Sequence, residues 1–144
     1  MKTKAEIAAE EYHGKFNCAQ STLAQFAEDY GLDEKTALRL GAAFGGGCHY
    51  GSVCGAVAGC CAVIGLRYGN DEHDPDKYNF NRDMVREFVG KFKDKHGAVN
   101  CSDLLGIDMS EPGGRDLARS QGLFDSKCRE YIRSSVEILE ELGY

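Results

Sequence analysis

No stretch of this sequence is apolar for long enough to cross a bilayer. The longest near-apolar run, Val53 to Leu66, falls short of the ~20 residues that a spanning helix needs. The first residues, MKTKAEIAAEEY, lack the apolar core of a signal peptide. A cytoplasmic protein with no membrane partner is the expectation. A basic stripe is also missing. The net charge is −6 with both signs mixed along the chain, which argues against a nucleic-acid partner. No run alternates polar and apolar residues far enough to argue a sheet. No long-period repeat and no low-complexity tract is present. The triple glycine Gly45-Gly46-Gly47 is not followed by Gly-Lys-Ser/Thr and has no strand before it, so neither nucleotide-binding loop is indicated. There is no C-x-x-C for a thioredoxin-like exchange. There is no C-x-x-C-H for covalent haem either, since His49 follows Cys48 but position 45 is Gly45. No serine–histidine triad signature supports a conventional enzyme.

What remains is helical in pattern. At 144 residues, with 42% hydrophobic and 28% charged residues, the chain suits one soluble globular domain spanning 1–144. Thr3 with Glu6, and Asn17 with Gln20, have the spacing of capping boxes. The first predicts a helix to about Gly14. The second predicts one to Gly31 with a stripe of Ala19, Leu23, Phe26, Ala27 and Tyr30. Asp33 predicts a third helix running into the glycines, and Ser52 a fourth from Val53 to about Tyr68. Asp74-Pro75 starts a fifth, with Phe80, Met84, Val85, Phe88, Val89 and Phe92 on one face and Gly97 as its stop. A short turn follows Asn100, SEPGGRDLARSQG is a turn with loosely specified structure, and Asp125 predicts the cap of the last helix. The fold class is all-α, a single-domain helical bundle around a buried glycine-rich central helix. Gly47, Gly51, Gly55 and Gly59 fall four apart. Each glycine inside a helix costs about 1 kcal/mol relative to alanine. The return is close approach by another helix, a partner subunit or a cofactor, and a small-residue face of this kind would suit a homodimer.

The chain has seven cysteines, an odd number that cannot all pair within it. In a reducing compartment they point to metal binding or redox chemistry rather than permanent disulfides. Four fall at predicted helix starts. Cys18 follows Asn17, Cys101 follows Asn100, Cys54 lies two residues after Ser52, and Cys128 three after Asp125. A helix N-terminus carries free N–H groups and partial positive charge, which favours thiolate. Cys60 and Cys61 lie mid-helix and read as core filler. Cys48, beside His49, reads as an accessory thiol, with Gly55 and Gly59 accessory by their close packing. His13, His73 and His96 sit among charges and are expected to face solvent. Asp71, Glu72, Asp74 and Asp76 lack EF-hand spacing and read as a solvated linker.

The segments FNCAQSTLAQF, FGGG, VCGAVAG and NCSDLLG, with Cys128 in the last helix, resemble the C_GCAxxG_C_C family of small proteins regarded as redox-active for their cysteines. The resemblance runs from Phe16 to Cys128. The central element here reads Cys54-Gly55-Ala56-Val57-Ala58-Gly59, with its first two letters in the opposite order to the family label. The resemblance implies four key cysteines, Cys18, Cys54, Cys101 and Cys128. The set is also similar to part of split-Soret cytochromes c, where a four-cysteine iron–sulfur site accompanies haem. An iron–sulfur cluster on these four thiolates, serving electron transfer or redox sensing with a redox partner protein, is therefore the leading expectation. A cofactor-free thiol–disulfide protein is the alternative. A structural zinc site on the four cysteines, or a purely structural helical protein, follows.

Overall fold

The computed structural model describes residues 1–144 and is all-helical, with two isolated β-bridges and no strands. Where the sequence supplies a complete cap, the expected helix starts where it should. Thr3 and Glu6 close a capping box on α1, Lys4–Ile7, which widens into a π-type turn over Ala8–Tyr12. Asn17 and Gln20 close another on α2, Cys18–Leu23, through Gln20 N–H to Asn17 Oδ1 at 2.9 Å and Asn17 N–H to Gln20 Oε1 at 2.8 Å. Asp33 caps α3, Glu34–Gly41. Asp74 caps α5, Pro75–His96, whose Pro75 opens the first turn and whose Gly97 closes it at φ 83°.

The departures have local causes. The second helix does not continue to Gly31. Ser21 and Thr22 turn their hydroxyls back onto the carbonyls of Asn17, Cys18 and Ala19, competing with the backbone ladder. Beyond Thr22 the chain tightens to i→i+3 bonds, Gln25 N–H to Thr22 O and Phe26 N–H to Leu23 O, and ends in a 3-10 turn over Glu28–Tyr30. The third helix likewise stops at Gly41 instead of reaching the glycines. The chain then enters a left-handed stretch, with φ of 61° at Gly46, 66° at Gly47, 55° at Cys48 and 56° at His49. Ser52 does not cap the next helix: α4 is Gly55–Tyr68, and Val53 instead forms an antiparallel bridge with Asn100. Gly51, at φ 77°, therefore lies outside the helical glycine face, which is reduced to Gly55 and Gly59. After α6, Cys101–Leu105, the segment read as loosely structured holds a short helix, α7, Gly114–Ser120. Asp125 does not cap the last helix. It lies inside a π-type turn, Phe124–Cys128, that runs without a break into α8, Arg129–Glu141.

Helix α4 is apolar nearly all round, and it occupies the centre, packed against α2, α5 and α8. The core around it contains Leu23, Phe26, Val57, Val63, Ile64, Phe88, Phe92, Ile132 and Leu139. The closest helix pair is α2 against α4, and the glycines permit it. A Cβ on Gly59 would strike Thr22 Oγ1 and stand 2.8 Å from Ala19 O, and one on Gly55 would stand 3.2 Å from Ala19 N. The close approach foreseen for the glycine face is thus made by a helix of the same chain. The α5 stripe is buried only at Phe88 and Phe92; Phe80 is exposed, its ring edge-on to Tyr68 at 5.1 Å. No helix is long and apolar enough to cross a membrane.

Candidate functional site

Cys18 is the first residue of α2, fixed there by the Asn17 capping box. Cys101 is the first residue of α6 and Cys54 immediately precedes α4. These last two are tied together by the small antiparallel bridge: Cys54 N–H donates to Val99 O at 2.8 Å, and Cys101 N–H to Ser52 O at 2.7 Å. A segment far downstream in the chain is thereby held beside the start of the central helix. Cys128 ends the π-type turn before α8, so it is not at a free helix N-terminus, contrary to the sequence expectation. All four line one cavity of about 540 Å³. Cys54, Cys101 and Cys128 are buried and Cys18 is half-buried, and Cys101 and Cys128 share a small second core with Leu105 and Ala118.

For Cys18, Cys54 and Cys101 the expectation that the thiolate is favoured does not hold. Cys18 is pushed well above the ordinary thiol range by its hydrogen-bonding contact with Cys128 and by burial. Burial, followed by repulsion from Cys18, pushes Cys54 up to about 12; the N–H groups of Ala56 and Val57 oppose this only in part. Burial, then Cys54 and Cys18, pushes Cys101 up to about 12. The helix-end field is real, but desolvation and thiolate–thiolate repulsion exceed it in a closed site. These three free thiols are therefore protonated near neutral pH, and a bound cation is what would make them thiolates.

Tyr131 of α8 forms part of the wall, its hydroxyl donating to Leu104 O at 3.1 Å. Burial and the nearby Cys128, Cys54 and Cys101 all raise its pKa, which places it beside three of the four sulfurs. His13 also lines the cavity and is not solvent-facing as expected from its neighbours in sequence. Its side chain is only 9% exposed, its Nε2 lies 3.5 Å from Asp125 Oδ1, and burial lowers its pKa. His96 is half-buried too, its Nε2 2.8 Å from Ser134 Oγ, whereas His73 is exposed. Lys15, His49, Arg115, Arg119 and Phe124 also line the wall, together with Phe16, Asn17, Gln20 and Asp125. The first five could not be read from spacing, because they come from segments with no common motif.

Of the accessory residues, Gly55 lines the cavity, and Gly59 lies one helical turn further along α4 against α2. Cys48 is exposed and lies outside the cavity wall, where its neighbour His49 is found instead. Cys60 is buried within α4 and Cys61 is half-buried there. All seven cysteines are free. No three His, Cys, Asp or Glu side chains meet closely enough to hold one metal ion. The four cysteines line one cavity. Four cysteine side chains around one cavity are the donor set of a [2Fe–2S] or [4Fe–4S] cluster, and the residues present fit such a group.

The family described as "Putative redox-active protein (C_GCAxxG_C_C)" matches residues 16–142, and the chain belongs to it. No curated protein and no solved structure matches the chain.

Proposed function

We propose that Cys18, Cys54, Cys101 and Cys128 form one redox centre that holds an iron–sulfur cluster, for electron transfer or redox sensing. The observation that carries this reading is the meeting of four cysteines from four separate segments at one cavity. A cluster supplies a one-electron couple at that position. The chain does the rest. The Asn17 cap fixes Cys18, the Val53–Asn100 bridge fixes Cys54 and Cys101, and the π-type turn with the α8 that follows it brings Cys128 and Tyr131. Burial limits water at the centre, and the N–H groups of Ala56 and Val57 face Cys54 and offset part of its thiolate charge. A lone zinc ion would draw four sulfurs to within about 2.3 Å of one point. Zinc on the same four cysteines is the competing donor-compatible reading, and metal analysis distinguishes the two. Electrons would pass to or from a partner protein.

A second reading rests on the contact of Cys18 with Cys128. In it, these two thiols form a disulfide when an oxidant accepts their two electrons and two protons.

Anaerobic purification with an absorption spectrum and iron and sulfide analysis separates the two. Visible bands with stoichiometric iron and sulfide are expected, and Cys54→Ser should lose most of both while keeping its helicity. Normal iron in Cys54→Ser would remove Cys54 from the ligand set. A metal-free protein that reversibly loses two protons in mass on mild oxidation, mapped to Cys18 and Cys128, would favour the second reading.

A further inference from the structure

Among the residues lining the cavity, the four cysteines are buried or half-buried, whereas Lys15, Arg115 and Arg119 are exposed and mark its outer part. That part has a different chemistry. Three permanently charged cations line it, Lys15, Arg115 and Arg119, against one carboxylate, Asp125. That carboxylate is already engaged, 3.3 Å from Arg129 Nη2. Neither Lys15 nor Arg115 forms an ion pair, and Arg119 has only the exposed Asp116 at 3.6 Å. Three cations on one cavity wall, two of them without an ion pair, run against a chain whose net charge is −6.

The cations are also held in place. Arg115 and Arg119 lie one turn apart on α7, and both guanidinium groups sit 6.0 Å from the Phe124 ring, which is half-buried in the same wall. Lys15 is carried on the tight turn closed by Lys15 N–H and Phe16 N–H to Tyr12 O, with Gly14 at φ 99°. The cavity as a whole, at about 540 Å³, falls within the range of small-molecule sites.

We infer that Lys15, Arg115 and Arg119 form an oxyanion subsite that takes a small phosphate- or carboxylate-bearing ligand at the mouth of the cysteine cavity. Planar guanidinium groups at i and i+4 match the geometry of such anions, and Lys15 adds a point charge from a separate segment of the wall. That the ligand lies next to a redox centre, as a substrate or as a reported signal, rests on the proposed function; its binding does not.

Calorimetric titration of the anaerobically purified full chain with inorganic phosphate, and separately with succinate, tests this at constant ionic strength set by sodium chloride. Saturable binding of either anion is expected, and the arm that binds identifies phosphate or carboxylate as the recognised group. Arg115→Gln/Arg119→Gln should weaken it by about tenfold or more. Lys91→Gln, an exposed cation outside the cavity, should leave it unchanged. Binding of neither anion, or equal affinity in the double variant, overturns the subsite. Iron and sulfide are measured on the same samples. Iron without anion binding sinks the subsite alone, and anion binding without iron leaves the subsite standing and sinks the cluster.

Discussion

Two residues, Cys48 and His49, hold consecutive left-handed backbone conformations that side chains disfavour, at roughly 1–2 kcal/mol each. The strain sits beside the site. Gly47 packs against Ser52, whose carbonyl receives the Cys101 N–H, and His49 contributes to the cavity wall with its Nε2 2.8 Å from Ala42 O. Cys48 itself contributes nothing to the wall. Cys48→Gly should therefore relieve strain and raise stability by about 0.5–1 kcal/mol after the entropy that glycine adds to the unfolded chain. It should leave iron content unchanged. A lower urea midpoint, or loss of iron, would show that Cys48 has a role its position does not reveal. At this scale the site was half legible. Cys18, Cys54, Cys101 and Cys128 could be read because Asn17 and Asn100 mark helix starts and the family pattern names the set. The protonation of Cys18, Cys54 and Cys101 could not, since burial is a property of the assembled fold. Lys15, Arg115 and Arg119 were invisible for the same reason. The inverted order of Cys54 and Gly55 has a local sense as well. A Cβ at position 55 would stand 3.2 Å from Cys18 Cβ and 3.0 Å from Phe44 O, so position 55 faces the same cysteine from tighter quarters.

Among the elements, the contact of α2 with α4 governs the site, because it sets Cys18 against the start of the central helix. Alanine is the better helix former by about 1 kcal/mol, so propensity alone predicts that Gly59→Ala stabilises. Packing predicts the opposite: the new Cβ meets Thr22 Oγ1 and stands 2.8 Å from the backbone oxygen of Ala19, which cannot rotate away. Overpacking of this kind costs about 1–3 kcal/mol. We expect Gly59→Ala to lose roughly 1–2 kcal/mol net, and iron content to fall as α2 is displaced. Gly65→Ala is the matched control. It lies on the same helix with no atom within 4 Å of its added Cβ, and should gain up to about 1 kcal/mol. Thermal unfolding of the pair decides the matter, and equal shifts in both would refute the packing account. Elements with complete caps, α1, α2, α3 and α5, started where the sequence placed them. The failures were at Ser52 and Asp125, residues of cap type used otherwise. The chain around Ser52 pairs across to Asn100, and Asp125 turns to His13 and Arg129. Both partners are distant in sequence or reached through a π-type turn, and neither competes visibly in a local pattern.

For the whole molecule, the buried thiols make stability depend on pH. Cys18, Cys54, Cys60, Cys61 and Cys101 all have raised pKa values relative to an ordinary value of 9.0, Cys61 to about 11 through burial. A raised folded value means that the native state keeps protons the unfolded chain releases. Their contribution is complete below pH 9 and is lost as pH rises through 9 toward 12. His13 and His96 behave in the opposite way. Burial lowers both from 6.5, so their contribution is present above that value and is lost as pH falls below it. Metal-free protein should accordingly show a stability plateau between about pH 6.5 and 9, read as the urea midpoint across a pH series. Growing negative charge on a chain already at −6 steepens the alkaline fall. Loading the site changes both limbs. Ligand thiols are already deprotonated in the loaded protein, so Cys18, Cys54 and Cys101 no longer contribute to the alkaline loss, whereas Cys60 and Cys61 still do. Loading at pH 7 should also release about one proton from each of Cys18, Cys54 and Cys101. Below pH 9 the unfolded chain reprotonates the thiols that the loaded protein holds deprotonated, so iron-loaded protein should lose stability as pH falls where metal-free protein shows its plateau, with His13 and His96 adding to the fall below pH 6.5. An alkaline limb that does not move on loading, together with no proton release, would mean that the iron is bound elsewhere.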